Sequence, residues 1–460
     1  MIKFAPKLEK CVTMERSILK NIEEWCVERR RKPLILMGAR QVGKTWLMDE
    51  FARRHYPNDT VRVNFMKNDA LRENFETIDL DPKTIVEIIS INTGKKIVPG
   101  KTLLILDEIQ ESPRALTSLK FFNEDMPELA VMAAGSLLGL AVDRNKKRGR
   151  ESNGEKASFP VGKVTFIDVP PMTFEEFLVA IGEDVKCEAL GNRKWEMVNV
   201  FNDTYCEFLR KYYFIGGMPE AVLAYSEEKD YRLVRKVQKS ILKAYDEDFV
   251  KHSYGSLLSK IRILWGAIPS QLSKENKKFL YTALREGARA REYEVALQWL
   301  EDAGMTRTVR NVAAPMMPLA AYEDFSAFKL YAHDVGLIAA MSEIPQQVLL
   351  EGSSIFTHFK GSLTEQFVLQ ELTAYGCGAH YWSPGNSRAE LEFLVQVGSK
   401  ICPIEAKAEK NLRAKSLMTY IEKYKPEKAV RLSTSKRMSH GVLEDYPLYS
   451  IHEMLMDLDG

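Results

Sequence analysis

GARQVGKT, at residues 38–45, fits the phosphate-binding pattern G-x-x-x-x-G-K-[ST] at every constrained position. The residues of this loop are Gly38, Ala39, Arg40, Gln41, Val42, Gly43, Lys44 and Thr45. The apolar run 33–37 before the loop suits a buried strand, and the run 46–51 after it favours a helix. Because a strand, a glycine loop and a helix start together form a triphosphate site, we predict that the chain binds a nucleoside triphosphate.

The residue types in the loop indicate how the phosphates would be held. Gly38 and Gly43 allow backbone N–H groups to turn inward around the phosphates. We expect Lys44 to bridge the β and γ oxygens as a catalytic residue, and Thr45 to bind Mg²⁺ at the positive end of the following helix. All eight loop residues are therefore candidate nucleotide-binding residues.

A second motif, LLILDE at residues 103–108, is an apolar strand that ends in two adjacent carboxylates. Asp107 is expected to contact Mg²⁺ and to contribute to nucleotide binding. Glu108 is placed to polarise the attacking water, which favours hydrolysis over transfer to another acceptor. The alternative interpretation is a strand end followed by a helix cap.

Apolar runs at 61–65, 102–106, 129–134 and 164–169 alternate with helical or polar stretches. This alternation predicts an α/β fold with the parallel sheet of a P-loop NTPase, and nucleotide beyond the carboxyl ends of the strands. Ser136 follows one of these runs and could sense the γ-phosphate or orient the water; a helix cap is the other interpretation. Arg144, Arg148 and Arg150, in the basic run 143–150, could supply an arginine finger or lie on a solvated loop.

From about residue 170 the sequence changes to long amphipathic helices, notably at 229–248 and 292–302. A glycine turn at 303–304, a strand-like run at 305–312, a Pro-rich loop and a second run at 328–331 follow. This order is typical of a winged helix. Arg285, Arg289 and Arg291 could contact DNA phosphates, reach the nucleotide or face water.

Near the carboxyl end, strand-like runs at 390–397 and 400–407 flank Gly398 and Ser399, which suits a type II′ hairpin. If Val397 pairs with Lys400, Glu392 lies opposite Glu405 and Glu390 opposite Lys407.

This register suggests a divalent metal ion between Glu392 and Glu405, with Lys407 to stabilise a pentavalent phosphate. Glu365, on the preceding helix, could complete the ligand set. The alternative is a solvated hairpin face on which Glu390 and Lys407 form an ordinary ion pair.

Composition bounds the remaining possibilities. The 460 residues suggest about three domains at about 150 residues each. A net charge of +2 gives no global attraction to nucleic acid or anionic membranes. The six cysteines are scattered without C-x-x-C spacing, which indicates neither a zinc site nor a disulfide framework. The first 50 residues lack the apolar core of a signal peptide. The weakly polar run 129–142 is too short to span a bilayer. We therefore expect a cytoplasmic protein without a membrane partner.

Taken together, these motifs resemble a prokaryotic family of AAA-type ATPases of poorly defined function, built from an ATPase domain, a winged-helix region and a restriction-endonuclease-like domain. The resemblance spans nearly the whole chain. Besides GARQVGKT and LILDEIQ it includes SLKFF (118–122), AGSLLG (134–139), SFPVGK (158–163), GGMPE (216–220), DVGL (334–337) and FKG (359–361). It favours ATP over GTP, in agreement with the absence of a guanine-reading N-K-x-D motif.

The carboxy-terminal segment resembles the PD-(D/E)XK nuclease pattern, whose second half matches Glu405-Ala406-Lys407. It carries Glu392 where that pattern usually has aspartate. A longer side chain displaces the carboxylate, which matters because catalytic groups must be held to about 0.5 Å.

We therefore predict an AAA-type P-loop ATPase domain at 1–168, a helical winged-helix domain at 169–345 and a small α/β nuclease-like domain at 346–460. ATP and Mg²⁺ are the predicted cofactors, and hydrolysis is expected to rearrange the other two domains, with DNA as a candidate target. The alternatives are a metal-dependent DNA nuclease gated by ATP, and a non-hydrolysing switch that assembles with an unknown protein partner or with further copies of itself.

Overall fold

The computed structural model describes residues 14–135, 160–274, 277–352, 357–384, 389–409 and 414–459. A parallel five-stranded sheet forms the amino-terminal part, in the order β2-β3-β4-β1-β5. Its strands are β1 (Leu34–Met37), β2 (Thr60–Asn64), β3 (Leu103–Asp107), β4 (Ala130–Ala134) and β5 (Thr165–Asp168). The helices before and between them are α1 (Leu19–Val27), α2 (Lys44–His55), α3 (Asp69–Thr77), α4 (Pro82–Thr93) and α5 (Pro113–Asp125).

Strand β3 shows why this sheet is central: every one of its residues is buried. Leu103 and Ile105 pack into the hydrophobic core on one face, while Leu104 and Leu106 pack into the core on the other. Because helices cover both faces of this strand, all of its side chains are buried and its sequence is mostly apolar, as in parallel sheets generally. The predicted P-loop α/β sheet is confirmed.

A helical region follows this sheet. Its helices are α6 (Phe174–Ala180), α7 (Asp184–Gly191), α8 (Trp195–Val200), α9 (Asn202–Ile215), α10 (Pro219–Glu228), α11 (Tyr231–His252), α12 (Ser256–Leu272) and α13 (Ala290–Asp302). Thr173 caps α6 reciprocally with Glu176. The amphipathic helices expected at 229–248 and 292–302 are α11 and α13.

The predicted helix–turn–strand–strand order is present after residue 290. Helix α13 is followed by β6 (Thr306–Val312) and β7 (Glu323–Ala332), which pair antiparallel. Strand β6 also pairs in parallel with β8 (Ala379–Trp382), at Asn311 and Tyr381. The wing-like hairpin is therefore continuous with the sheet that follows it along the chain.

This second sheet has eight strands in the order β12-β13-β11-β10-β9-β8-β6-β7. The remaining strands are β9 (Leu391–Val397), β10 (Lys400–Ala406), β11 (Ala429–Ser433), β12 (Met438–His440) and β13 (Leu443–Pro447). It crosses the predicted boundary between residues 345 and 346; the three domain ranges stay predictions. The accompanying helices are α14 (Val335–Met341), α15 (Thr357–Ala374), α16 (Lys415–Tyr424) and α17 (Ile451–Asp459).

Helix α15 is buried along most of its length, including its polar side chains. Gln366 bonds both backbone groups of Ala332, at 2.7 and 3.0 Å. Gln370 accepts from the backbone N–H of Val335 at 2.8 Å and donates to the hydroxyl of Tyr212 at 2.7 Å. These bonds satisfy buried amides and fix α15 between the helical region and the second sheet.

None of the helices in the described ranges combines the length and apolarity needed to cross a bilayer.

Candidate functional site

The loop at residues 38–45 joins the end of β1 to the start of α2. Gly38 has φ +128°, and a Cβ there would lie 2.5 Å from the carbonyl oxygen of Val169, so a side chain cannot be accommodated. Gly43, with φ +94°, immediately precedes α2. The two glycines therefore give the loop the backbone geometry that the sequence pattern predicts.

Lys44 is buried beneath this loop. Its ammonium group donates to the carbonyl oxygens of Gly38 at 2.9 Å and Ala39 at 2.7 Å. Burial lowers the pKa of Lys44 to about 8, although the nearby Glu108 and Asp107 carboxylates favour its charged form. The lysine is thus held at the loop by two backbone acceptors.

Thr45 and Asp107, the predicted Mg²⁺ ligands, lie together. The Thr45 hydroxyl donates to Oδ2 of Asp107 over 3.4 Å, and Asp107 is buried. Hydroxyl and carboxylate oxygens are the donors that Mg²⁺ prefers, so the pair fits the predicted ion.

Two residues of β2 also contact Asp107, which sequence analysis did not identify. Arg62 forms an ion pair with its Oδ2, and Asn64 donates to the same oxygen at 3.3 Å. Asn64 is the partner of Asp107 in the β2–β3 ladder. The alternation of valine with polar residues at 61–64 was the available signal, since it places Arg62 and Asn64 on one face of the strand.

Glu108 has φ +54°, a left-handed conformation that is uncommon for residues other than glycine. Its carboxylate accepts from the side-chain amide of Gln110 at 2.6 Å. The backbone N–H of Glu108 donates to Asp107 Oδ1 at 3.1 Å. The two carboxylates therefore adjoin at the carboxyl end of β3, with that of Glu108 oriented by a hydrogen bond.

Arg16, which precedes α1, stabilises the loop from the side. It donates to the carbonyl oxygens of Val42 at 3.0 Å and Pro170 at 2.7 Å, and its Nε lies 2.9 Å from Oε2 of Glu176. The buried guanidinium connects the loop to the segment that follows β5. No local motif marks Arg16 in the sequence.

Elements from outside the first sheet also touch the loop. Asp248 of α11 forms an ion pair with Arg40, and the Tyr245 hydroxyl donates to the Arg40 carbonyl at 2.9 Å. That hydroxyl lies 3.1 Å from Nε2 of His333. Gly304 packs so closely that a Cβ there would lie 3.0 Å from the Ala39 nitrogen. The loop therefore contacts both the helical region and the turn before β6.

A cavity of about 290 Å³ adjoins this contact. The loop residues Gly38, Ala39 and Val42 line one side of it. Gly304, Arg307, His333 and Gln370 are also among the residues that line it. The cavity is large enough for a small organic group next to the loop.

The predicted accessory residues have different placements. Ser136, Arg144, Arg148 and Arg150 lie outside the described residues. Arg285, Arg289 and Arg291 are exposed. Their roles stay predictions.

In the second sheet, the predicted hairpin register is confirmed: Val397 pairs with Lys400, and the ladder extends to Phe393 and Ile404. The next pair in this register is Glu392 and Glu405. Nζ of Lys407 lies 2.5 Å from Glu405 and 3.9 Å from Glu392. Burial, together with the Glu365 and Glu405 carboxylates, raises the pKa of Glu392 to about 7.

The alternative of a solvated face with a Glu390–Lys407 ion pair is wrong. Glu390 pairs with Lys329 of β7 at 2.6 Å, and Lys329 is almost fully buried. A lysine from another strand therefore takes the position that the alternative gave to Lys407.

Glu365 on α15 is also bound to cations. It forms an ion pair with Lys277, accepts from the Tyr331 hydroxyl at 3.1 Å and lies 3.8 Å from Lys329. Among the described residues, one group of three is spaced for a single metal ion, and it consists of Glu175, His452 and Glu453. Glu365, Glu392 and Glu405 are near one another but not at that spacing.

Three family models match the chain. Residues 30–178 match an AAA domain, residues 206–348 a domain of unknown function (DUF8612), and residues 360–452 another domain of unknown function (DUF4143). No curated protein sequence matches.

Similar solved structures include a Walker-type ATPase of Pyrococcus abyssi, at 14% identity and a TM-score of 0.45, covering 74% of this chain and 99% of that one. The Aeropyrum pernix Orc1 protein in complex with DNA shares 14% identity at a TM-score of 0.28, with 75% and 97% covered. Drosophila ORC bound to DNA shares 13% at 0.24, with 71% and 93% covered. These scores are too low to imply a shared function.

The AAA-domain match covers the glycine loop, the acidic strand and all five strands of the first sheet. Loop, strand order and family model agree. The amino-terminal part of this protein therefore has the P-loop α/β fold, and its sequence is similar to that of an AAA domain.

Proposed function

We propose that this protein is a Mg²⁺-dependent ATPase whose hydrolysis cycle moves the helical region and the second sheet relative to the P-loop domain. The observation that carries the proposal is the contact of 3.4 Å between Thr45 Oγ1 and Asp107 Oδ2 at the carboxyl end of β3. A hydroxyl and a buried carboxylate at that position are oxygen ligands that could hold Mg²⁺ next to the phosphate loop.

The roles of the other residues follow from their placement. Backbone N–H groups of the loop and the start of α2 would bind the phosphates. Lys44 would exchange the carbonyl oxygens of Gly38 and Ala39 for the β and γ oxygens. Glu108, oriented by Gln110, would polarise the attacking water. Magnesium bound with ATP would neutralise charge that develops on the transferred phosphate.

ATP binding could be transmitted to the rest of the chain through Arg40. Its side chain contacts Asp248 and its carbonyl accepts from Tyr245, both on α11. A change in loop conformation would therefore alter contacts made by α11. Gly304 offers a second route, since it packs directly against Ala39.

Release of phosphate from ATP by the full-length protein tests the proposal. We expect turnover with Mg²⁺, loss of turnover with EDTA, and retained ATP binding without turnover in Glu108→Gln. Unchanged turnover in Glu108→Gln would contradict the assignment. Tight binding with negligible turnover by the unmodified protein, and a nucleotide-dependent mass in solution, would support the assembly switch instead.

A second candidate is a metal-dependent DNA nuclease gated by ATP. The arrangement of Glu392, Glu405 and Lys407 favours it, because two carboxylates and a lysine converge at one end of the hairpin. Incubation with single- and double-stranded DNA, ATP, and Mg²⁺ or Mn²⁺ tests it. Cleavage that is lost in Lys407→Ala supports the nuclease, whereas intact DNA contradicts it.

The remaining parts of the proposal concern location and partners. We propose a cytoplasmic protein that acts on DNA or on a protein partner, or that assembles with copies of itself. Arg285, Arg289 and Arg291 are exposed and lie within seven residues of one another. Their positive charges therefore support a contact with DNA phosphates.

A further inference from the structure

A second group of ionisable side chains lies away from the phosphate loop. Glu175 is on α6, and His452 and Glu453 are on α17, near the carboxyl end of the described chain. One ligand atom from each lies within 4.8 Å of the other two. The group therefore joins the segment after β5 to the last helix.

Glu453 is the unusual member. Its side chain is buried, with 2% of the residue exposed, and within the described chain its carboxyl group faces that of Glu175 and its own backbone N–H. Two buried carboxyl groups that face each other need either a proton or a cation between them.

Glu175 and His452 are held in place around it. Nδ1 of His452 lies 2.8 Å from Oε2 of Glu175, and the Tyr375 hydroxyl donates to the same oxygen at 2.9 Å. The His452 ring stacks on Tyr375 with centroids 4.2 Å apart. The His452 side chain is 37% exposed, so solvent reaches the group from that side.

Two carboxyl groups face each other here, those of Glu175 and Glu453, and Glu371 lies close enough to act on Glu453. The neighbouring Glu176 already pairs with Arg16, and His452 contacts Glu175 from one side. A shared proton or a divalent cation would offset the repulsion between the two carboxyl groups.

We propose that Glu175, His452 and Glu453 bind one divalent transition-metal ion of the Zn²⁺ class. The imidazole nitrogen favours Zn²⁺ over Mg²⁺ or Ca²⁺, which prefer oxygen ligands alone, and Zn²⁺ also accepts carboxylate oxygens. Three protein ligands leave at least one position for water. Tyr375 acts as a positioning residue, because it bonds Glu175 and stacks on His452.

This site would connect two segments that are far apart in the sequence. Glu175 lies within the segment that matches the AAA domain, and His452 within the segment that matches DUF4143. Glu176, next to Glu175, bonds Arg16, which in turn bonds the phosphate loop at Val42. A bound metal would therefore clamp α17 to the helix that supports the loop.

Full-length protein, treated with EDTA and desalted, tests the site by titration with ZnCl₂ and by metal analysis after a second desalting. We expect one Zn²⁺ equivalent to be lost in Glu453→Gln and in His452→Ala. His380→Ala is the matched control, because His380 lies 2.8 Å from Glu323, whose other charged neighbour is Arg310 rather than a carboxylate. Zinc bound elsewhere persists in all variants. Equal stoichiometry in every variant overturns the proposal.

Zinc-edge X-ray absorption on the unmodified protein gives a test that does not depend on how the variants fold. We expect oxygen and nitrogen ligands at about 2.0–2.2 Å with an imidazole contribution. A sulfur ligand, or no retained zinc, overturns the proposal; the latter result means that the two carboxylates share a proton.

Discussion

Asp248 of helix α11 forms an ion pair with Arg40 of the phosphate loop, 208 positions earlier in the chain. The Arg40 side chain is 34% exposed and that of Asp248 is 9% exposed, so the pair lies at the edge of the interface. It is a direct link between the loop and the helical region.

This link predicts an effect of Asp248→Asn on coupling more than on stability. In the unmodified protein we expect ATP binding to change the hydrogen exchange of α11, and in Asp248→Asn we expect that change to be lost. Because the pair is partly exposed, we expect the free energy of unfolding to change by about 1 kcal/mol or less. Hydrogen–deuterium exchange with and without ATP provides the measurement.

Asp246→Asn is the matched control for that experiment. Asp246 is on the same helix but pairs with Arg262 on the surface, at 2.6 Å. Its replacement should leave the ATP-dependent exchange of α11 intact. If both variants lost the ATP-dependent change in exchange equally, α11 would respond to the removal of any negative charge rather than to the loss of the Arg40 ion pair.

Lys44→Ala and Glu108→Gln should separate binding from hydrolysis. Lys44→Ala removes the cation from the loop and should abolish ATP binding. Glu108→Gln keeps the shape of the side chain but removes the charge, so turnover should fall by about 10²- to 10⁴-fold while binding persists.

Equilibrium binding of a fluorescent ATP analogue and phosphate release measure these two effects. Glu111→Gln serves as the control, because Glu111 pairs with Lys251 near the same strand end. A comparable loss of turnover in Glu111→Gln would contradict the assignment of Glu108 as the residue that polarises the attacking water.

His333 predicts a pH dependence of stability. Burial lowers the pKa of His333 from 6.5 to about 4, so the folded state holds the ring neutral. Below pH 6.5 the unfolded chain takes up a proton that the folded protein refuses. Stability from this group is complete above pH 6.5 and falls by about 1.4 kcal/mol per pH unit toward pH 4.

His333→Gln should reduce that slope, since glutamine does not titrate. Urea unfolding of both proteins between pH 7.5 and 5 gives the comparison. Identical slopes would show that the folded and unfolded states protonate His333 alike and that its pKa is not lowered.

Glu392→Gln should be stabilising at alkaline pH. The pKa of Glu392 is raised to about 7 by burial and by two neighbouring carboxylates. Its favourable contribution is therefore present below the ordinary value of 4.5 and is lost as pH rises through 7. The neutral amide should gain up to about 3 kcal/mol relative to the unmodified protein above pH 7.

Thermal unfolding at pH 6 and 8.5 checks this prediction. Glu422→Gln, at an exposed position on α16, should have no such effect. If a metal ion occupied the hairpin site, Glu392→Gln would instead destabilise the metal-loaded protein.

Local patterns account for the parts of the structure that could be predicted. The loop 38–45 and the strand 103–107 could be predicted because the residues directly before and after them indicate a strand or a helix. The short turn at Gly398 fixes the register that places Glu392 by Glu405. Each of these features depends on residues close in sequence.

The remainder depends on packing between distant elements. Asp248 reaches Arg40, and Lys329 reaches Glu390, only because helices and strands far apart in sequence meet in space. These two ion pairs give no periodic signal in the sequence, so one sequence alone could not reveal them. The approach of Glu175 to Glu453 likewise has no sequence motif.

The pairing of β6 with β8 limits how the molecule can change shape. Asn311 strengthens this junction, because its side chain also bonds Ser383 through two hydrogen bonds, at 3.0 and 3.3 Å. Strands β6 and β7 are consequently expected to move together with the carboxy-terminal strands as one rigid unit. Any bending between parts of the molecule is then expected nearer the P-loop domain. Separate expression of fragments divided at residue 345 would leave two unpaired strand edges, each a template for aggregation.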